Sequence, residues 1–108
     1  MESKITTQMK KGVIEYIVLA VIAKGEVYAS DIIDILKRND LILVEGTLYP
    51  LLSRLKTEEL LNYSRVESVQ GPPRKYYRLT EKGTHALQLM RKTRSGLAKT
   101  ITNIDKVR

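Results

Sequence analysis

Two consecutive prolines, Pro72 and Pro73, follow Gly71 and precede Arg74-Lys75-Tyr76-Tyr77-Arg78-Leu79, and no other stretch restricts the fold as sharply. Proline fixes φ and removes the backbone donor, so the residues at this point form a stiff turn and neither helix nor central strand. The flanking runs, Leu61 to Val66 and Lys75 to Leu79, carry Tyr63, Tyr76 and Tyr77 and read as two strands of a hairpin. Side chains alternate along a strand, so one of Tyr76 and Tyr77 faces the core and the other faces solvent or a partner.

The rest of the pattern is helical. A first helix is expected from about Thr7 to Lys24, with Gly25 ending it as a cap in the left-handed region. Its apolar residues, among them Val13, Ile14, Ile17, Val18 and Val21, occupy more than one stripe, which predicts burial on two sides. A second helix, Ala29 to Arg38, carries Ala29, Ile32, Ile33 and Leu36 on one face, with Ser30 or Asp31 supplying oxygen to the free N–H groups of its first turn. Asn39-Asp40 is turn chemistry, and Leu41-Ile42-Leu43-Val44 reads as a short strand.

A third helix, about Glu45 to Glu58, places Leu48, Leu51, Leu52 and Leu55 on its apolar face and Gly46, Tyr49, Pro50 and Ser53 opposite, flanked by Thr47 and Arg54. Pro50 lies deeper than the usual first-turn proline, which predicts a loose or kinked start. Thr80, with Glu81 behind it, caps a last helix of about 25 residues, roughly 37 Å long. Leu87, Met90, Arg94, Leu97, Ile101 and Ile104 follow at steps of three and four, a heptad seam with a cation in it. A helix this long overhangs so small a domain, which favours a partner helix over packing on its own core.

The 108 residues fit one domain, and the absence of Phe and Trp leaves a thin core of Leu, Ile, Val and Tyr that burial against a second copy would help. Between Ser68 and Thr100 eight basic residues stand against Glu81 alone, which accounts for the whole formal net charge of +7. Such a concentrated positive field attracts polyanions. There is no Cys, and His85 is the only histidine, on a helix with no serine turn beside it, so thiolate metal sites and the usual triads have no residues to use. No paired acids or phosphate-cradling glycine loop exist, and the chain is not expected to be an enzyme or to need a cofactor. The start, Met1-Glu2-Ser3-Lys4-Ile5-Thr6-Thr7, lacks signal-peptide grammar, and the apolar run Ile17 to Ala23 is too short to span a bilayer, so a cytoplasmic protein without membrane contact is expected.

Helix, helix, short strand, helix, hairpin, helix is the order of a winged helix-turn-helix, in a mainly α (α+β) fold. Residues 1–79 would form the DNA-binding domain and 80–108 the dimerisation helix. In that frame Thr47, Tyr49 and Ser53 offer hydroxyls to phosphates or base edges, Arg54 offers a guanidinium, and Arg74 and Lys75 act as phosphate clamps behind the wing tip. The third helix has neither Asn nor Gln, so specificity would lean on shape, water and operator spacing. A winged-helix module for protein contacts, basic only for solubility, is the alternative.

The segments Gly46-Thr47-Leu48-Tyr49-Pro50, Gly71-Pro72-Pro73-Arg74-Lys75-Tyr76-Tyr77 and Leu79-Thr80-Glu81-Lys82-Gly83 resemble the PadR family of bacterial transcriptional regulators, the likeness extending from about Val13 to Met90. The resemblance implies a homodimeric repressor of stress, detoxification or multidrug-export genes, bound to double-stranded operator DNA and released by a small-molecule effector. It adds Pro50 to the DNA face, places Tyr28 near the DNA backbone, and makes the joint from the first and last helices: Val13, Ile17, Leu87, Met90, Arg94, Leu97, Ile101 and Ile104.

Two positions depart from the family pattern. Glu59 stands where glycine usually follows the recognition helix, and because a left-handed glutamate costs about 1 kcal/mol, a different helix end is expected. Arg94 falls where drug-binding relatives can carry an aromatic residue, which marks it as a candidate ligand contact for anions rather than cations.

Overall fold

A computed structural model describes residues 4–69 and 71–107. Met1-Glu2-Ser3, Gln70 and Arg108 lie outside the described residues. Four helices carry a small sheet: α1 (Lys4–Ile22), β1 (Val27–Tyr28), α2 (Ala29–Arg38), α3 (Glu45–Thr57), β2 (Leu61–Val66), β3 (Arg74–Leu79) and α4 (Glu81–Asp105). The sheet is antiparallel in the order β1-β3-β2.

The expected strand at Leu41–Val44 does not exist; the third strand is Val27–Tyr28, paired with Tyr77 and Tyr76. Leu41–Val44 has strand-like alternation, with Leu43 buried and Ile42 and Val44 exposed. Alternation without a partner edge makes no ladder, and the free edge of β3 is taken by β1. Helix α1 also stops at Ile22, short of Lys24, and Gly25 follows at φ 154°, outside the left-handed helical region.

Helices α2 and α3 end in the same motif. The N–H of Leu41 donates to the carbonyl of Leu36 and that of Asp40 to Lys37, with Asp40 at φ 63°. After α3, Leu60 donates to Leu55 and Glu59 to Lys56, with Glu59 at φ 64°. The structure thus corrects the expectation for Glu59: the left-handed exit is kept without glycine. The reason lies downstream, because the turn puts Leu60 in the core and aims its carbonyl at the start of α4, where Thr80 donates to it.

That junction explains Gly83. A Cβ there would collide with the Leu60 carbonyl oxygen, so only glycine lets α4 approach. One hydroxyl locks both ends: Thr80 Oγ1 donates to the Glu59 carbonyl at 2.6 Å and accepts the Gly83 N–H at 2.9 Å.

The core is aliphatic, drawn from Val18, Leu19 and Ile22 of α1, Ile32 and Leu36 of α2, Leu48, Leu52 and Leu55 of α3, Leu61, Tyr77 and Leu87. Among the described residues it holds no buried polar or charged residue. Pro50 sits inside an unbroken α3, and the carbonyl its missing N–H leaves without a helical donor belongs to Gly46 on the exposed face. Beyond Met90 every described residue of α4 is exposed, and the molecule measures 62 × 36 × 22 Å.

Candidate nucleic-acid interface

The exposed face of α3 carries Thr47, Tyr49, Pro50, Ser53 and Arg54, because its Leu residues at i, i+4 and i+7 turn the other way into the core. Tyr49 reaches toward the hairpin. There a cavity of about 400 Å³ lies between α3, the start of α2 and the wing, lined by Tyr28, Ser30, Tyr49, Pro73, Arg74 and Lys75 among others.

Register separates the two wing cations. Neighbours on a strand point to opposite faces, so Arg74 and Lys75 serve different sides of the hairpin. Arg74 lies over the ring of Tyr28 at 3.8 Å and donates to Ser30 Oγ at 2.7 Å. Tyr28 in turn packs on Tyr76, ring centroids 4.8 Å apart. The guanidinium is therefore held between wing and α2 before any ligand arrives. Asp31 accepts the Tyr28 N–H at 2.9 Å and fixes the start of α2 beneath it, the role expected of an acidic first-turn residue.

On the other side the Lys75 ammonium lies 4.7 Å and that of Lys56 5.7 Å from the centre of the Tyr63 ring. A hydrogen bond from Arg65, then the charge of Lys75, holds the Tyr63 phenol below the ordinary tyrosine value. Tyr77, opposite Tyr63 in register, is in the core, and burial pushes its phenol up. The two clamps expected behind the tip are thus two separate seats, each with its own tyrosine.

Arg54 differs most from the role expected of it. Its guanidinium donates to Glu15 of α1 at 3.2 Å and to both oxygens of Glu58 at 3.2 and 3.4 Å. Hydrogen bonding to Glu15, then its charge, raises the Arg54 pKa further. The arginine expected to meet DNA already holds two carboxylates.

Away from this surface, α1 and α4 leave Met9, Val13, Leu97, Ile101 and Ile104 exposed, the last three between 59% and 63%. Ile17 and Met90 are half-buried. Leu87, placed by sequence in the dimer seam, is instead 2% exposed within its own core, because the first turns of α4 pack on the domain before the helix overhangs it. Arg94 is exposed and lines a cavity of about 470 Å³ with Val13, Glu15, Tyr16, Thr93 and Leu97. His85 is exposed, and no metal-holding group of His, Asp or Glu occurs among the described residues. Among them, no helix is long and apolar enough to cross a membrane.

Sequence reasoning missed Ser30 as a partner of Arg74, Tyr63 as the seat of Lys75, and the carboxylates on Arg54. Glu58 was detectable from its i+4 spacing to Arg54. Ser30 and Glu15 were not, since each meets its partner only through tertiary approach.

A family model described as the transcriptional regulator PadR-like family matches residues 18–89. A PadR-like transcription factor from Bacteroides fragilis is 50% identical, with TM-score 0.82 over 94% of this chain and 99% of that one. A PadR-like transcriptional regulator from Bacillus cereus is 33% identical, with TM-score 0.79 over 94% of this chain and 99% of that one. Bacillus subtilis PadR in complex with operator DNA matches at 25% identity and TM-score 0.65, over 70% of this chain and 45% of that one. No curated protein sequence matches the chain.

Proposed function

The chain belongs to the PadR-like family of transcriptional regulators, and from that premise we propose that it is a dimeric repressor whose α3 and wing hold double-stranded operator DNA. The observation that carries this reading is the meeting of three elements around one groove: the hydroxyl face of α3, the start of α2 and the Arg74–Tyr28–Ser30 seat of the wing. Phosphates would sit at Arg74 and Lys75, with Tyr28 near the backbone, and Thr47, Tyr49, Pro50 and Ser53 would face the groove floor. The operator complex of Bacillus subtilis PadR supports the assignment.

Residues 80–108 act as the dimerisation helix, pairing the exposed Leu97, Ile101 and Ile104 with Val13 and Ile17 of a second copy. The regulated genes belong to stress, detoxification or multidrug export. An effector enters beside Arg94, whose charge favours an anionic aromatic over a cationic drug.

The test is a gel-shift or anisotropy titration of promoter DNA with Arg74→Ala and Lys75→Ala combined. Weaker binding to every sequence, with a salt slope flatter by about two phosphate contacts per protomer, is expected. An unchanged slope removes the wing from the interface, and binding that ignores salt favours a protein-contact module.

A further inference from the structure

Arg54 is the only arginine of α3, and its planar guanidinium is the fork on that helix best shaped to grip a guanine edge bidentately. It is not idle in the protein on its own. Glu15, on α1, takes one arm of the guanidinium, and Glu58, just past the end of α3, takes the other. The Glu58 contact is local, four residues on, while Glu15 comes from 39 residues earlier and ties α1 to α3. All three side chains are accessible, with Arg54 50% and Glu15 30% exposed, so the pair is reached by solvent and by a ligand approaching α3.

We propose that Glu15 and Glu58 are specificity-determining residues, an intramolecular carboxylate cage that withholds Arg54 from sequence-independent phosphate. This rests on the reading that α3 faces DNA. A phosphate that reaches Arg54 must displace carboxylates already bonded to it and lie beside two negative charges. Every duplex offers phosphates, so an uncaged Arg54 would strengthen binding to all sequences alike. A caged one adds affinity only where further contacts of a matched sequence draw α3 close enough to exchange partners. Specificity then comes partly from a penalty on the wrong duplex, through carboxylates that touch no base. Exposed pairs of this kind hold their partner by about two- to five-fold each, enough to set a preference without preventing release.

The experiment uses the whole chain with its own promoter duplex and a random duplex of equal length, across a salt series. Glu15→Gln and Glu58→Gln are each expected to raise affinity for the random duplex about two- to five-fold and to steepen its salt slope by about one contact. The promoter-to-random ratio should fall. With Arg54→Gln as background, most of either gain should vanish. A gain of equal size with and without Arg54 overturns the cage, because it would mean only that negative charge near DNA had been removed. No gain overturns it as well.

Failure of the DNA reading looks different: the unaltered chain would then bind neither duplex at low salt. In that case urea unfolding of Glu15→Gln, Arg54→Gln and the double variant still judges the cage. A coupling of about two- to five-fold in the unfolding constant is expected, and strict additivity overturns it.

Discussion

Glu59→Gly tests how the chain leaves α3. Glu59 lies at φ 64°, where a side chain crowds its own carbonyl and costs about 1–2 kcal/mol. The conformation is forced by bonds on both sides, Leu60 to Leu55 and Glu59 to Lys56 at 3.0 Å each, and Thr80 to the Leu60 carbonyl at 3.1 Å. Glycine removes the steric cost but frees the unfolded chain, which takes back about 0.5–1 kcal/mol. The balance is a gain of about 0.5–1 kcal/mol, and at roughly 4–8 °C per kcal/mol for a domain of this size the Tm should rise by about 2–8 °C. Scanning calorimetry measures it, and urea unfolding with an unchanged m-value confirms that the native state gained. A Tm that stays level or falls refutes the argument, because it would mean that Glu59 is not strained or that its side chain returns as much as it costs.

Gly83→Ala should act in the opposite direction. Its Cβ meets the Leu60 carbonyl, so a loss of about 1–3 kcal/mol in denaturant midpoint is expected, against the gain of about 1 kcal/mol that alanine gives in an open helix. Tyr77 keeps its proton to higher pH in the folded chain than in the unfolded one, so the unfolded state ionises first and stability falls as pH rises above about 10; Tyr77→Phe should flatten that alkaline limb in a Tm-versus-pH series. Ile101→Asp, on the overhanging part of α4, should weaken self-association more than about a hundredfold in sedimentation, since an unpaired carboxylate would enter the seam, while the monomer keeps its Tm apart from the contribution of association.

What the sequence made legible followed local rules. Periodicity located the helices to within a few residues, and alternation with Gly71-Pro72-Pro73 located the hairpin. The core facing of Tyr77 rather than Tyr76 then came from register. The third strand was misplaced because a two-residue strand carries no pattern of its own and exists only through the edge of β3. Glu59 misled because local strain is small beside the packing of Leu60 and the approach of Gly83, which were not visible in one segment. The α3 residues expected to meet DNA lie on the exposed side of that helix, but their partners did not follow from spacing. Arg74 is oriented by Ser30, 44 residues away, and Arg54 by Glu15, 39 away. A charge pattern shows where cations are and not which of them are already occupied.

The central claim is that the hydroxyl face of α3 and the two wing seats hold duplex DNA with sequence preference. Its most direct test is the affinity of the unaltered chain for its own promoter and for a random duplex between about 50 and 200 mM salt. With about two phosphate contacts per protomer, at Arg74 and Lys75, about four per dimer, affinity should fall roughly a hundredfold across that range while the promoter keeps its advantage. Binding that is absent at low salt, or indifferent to salt and sequence alike, contradicts the account.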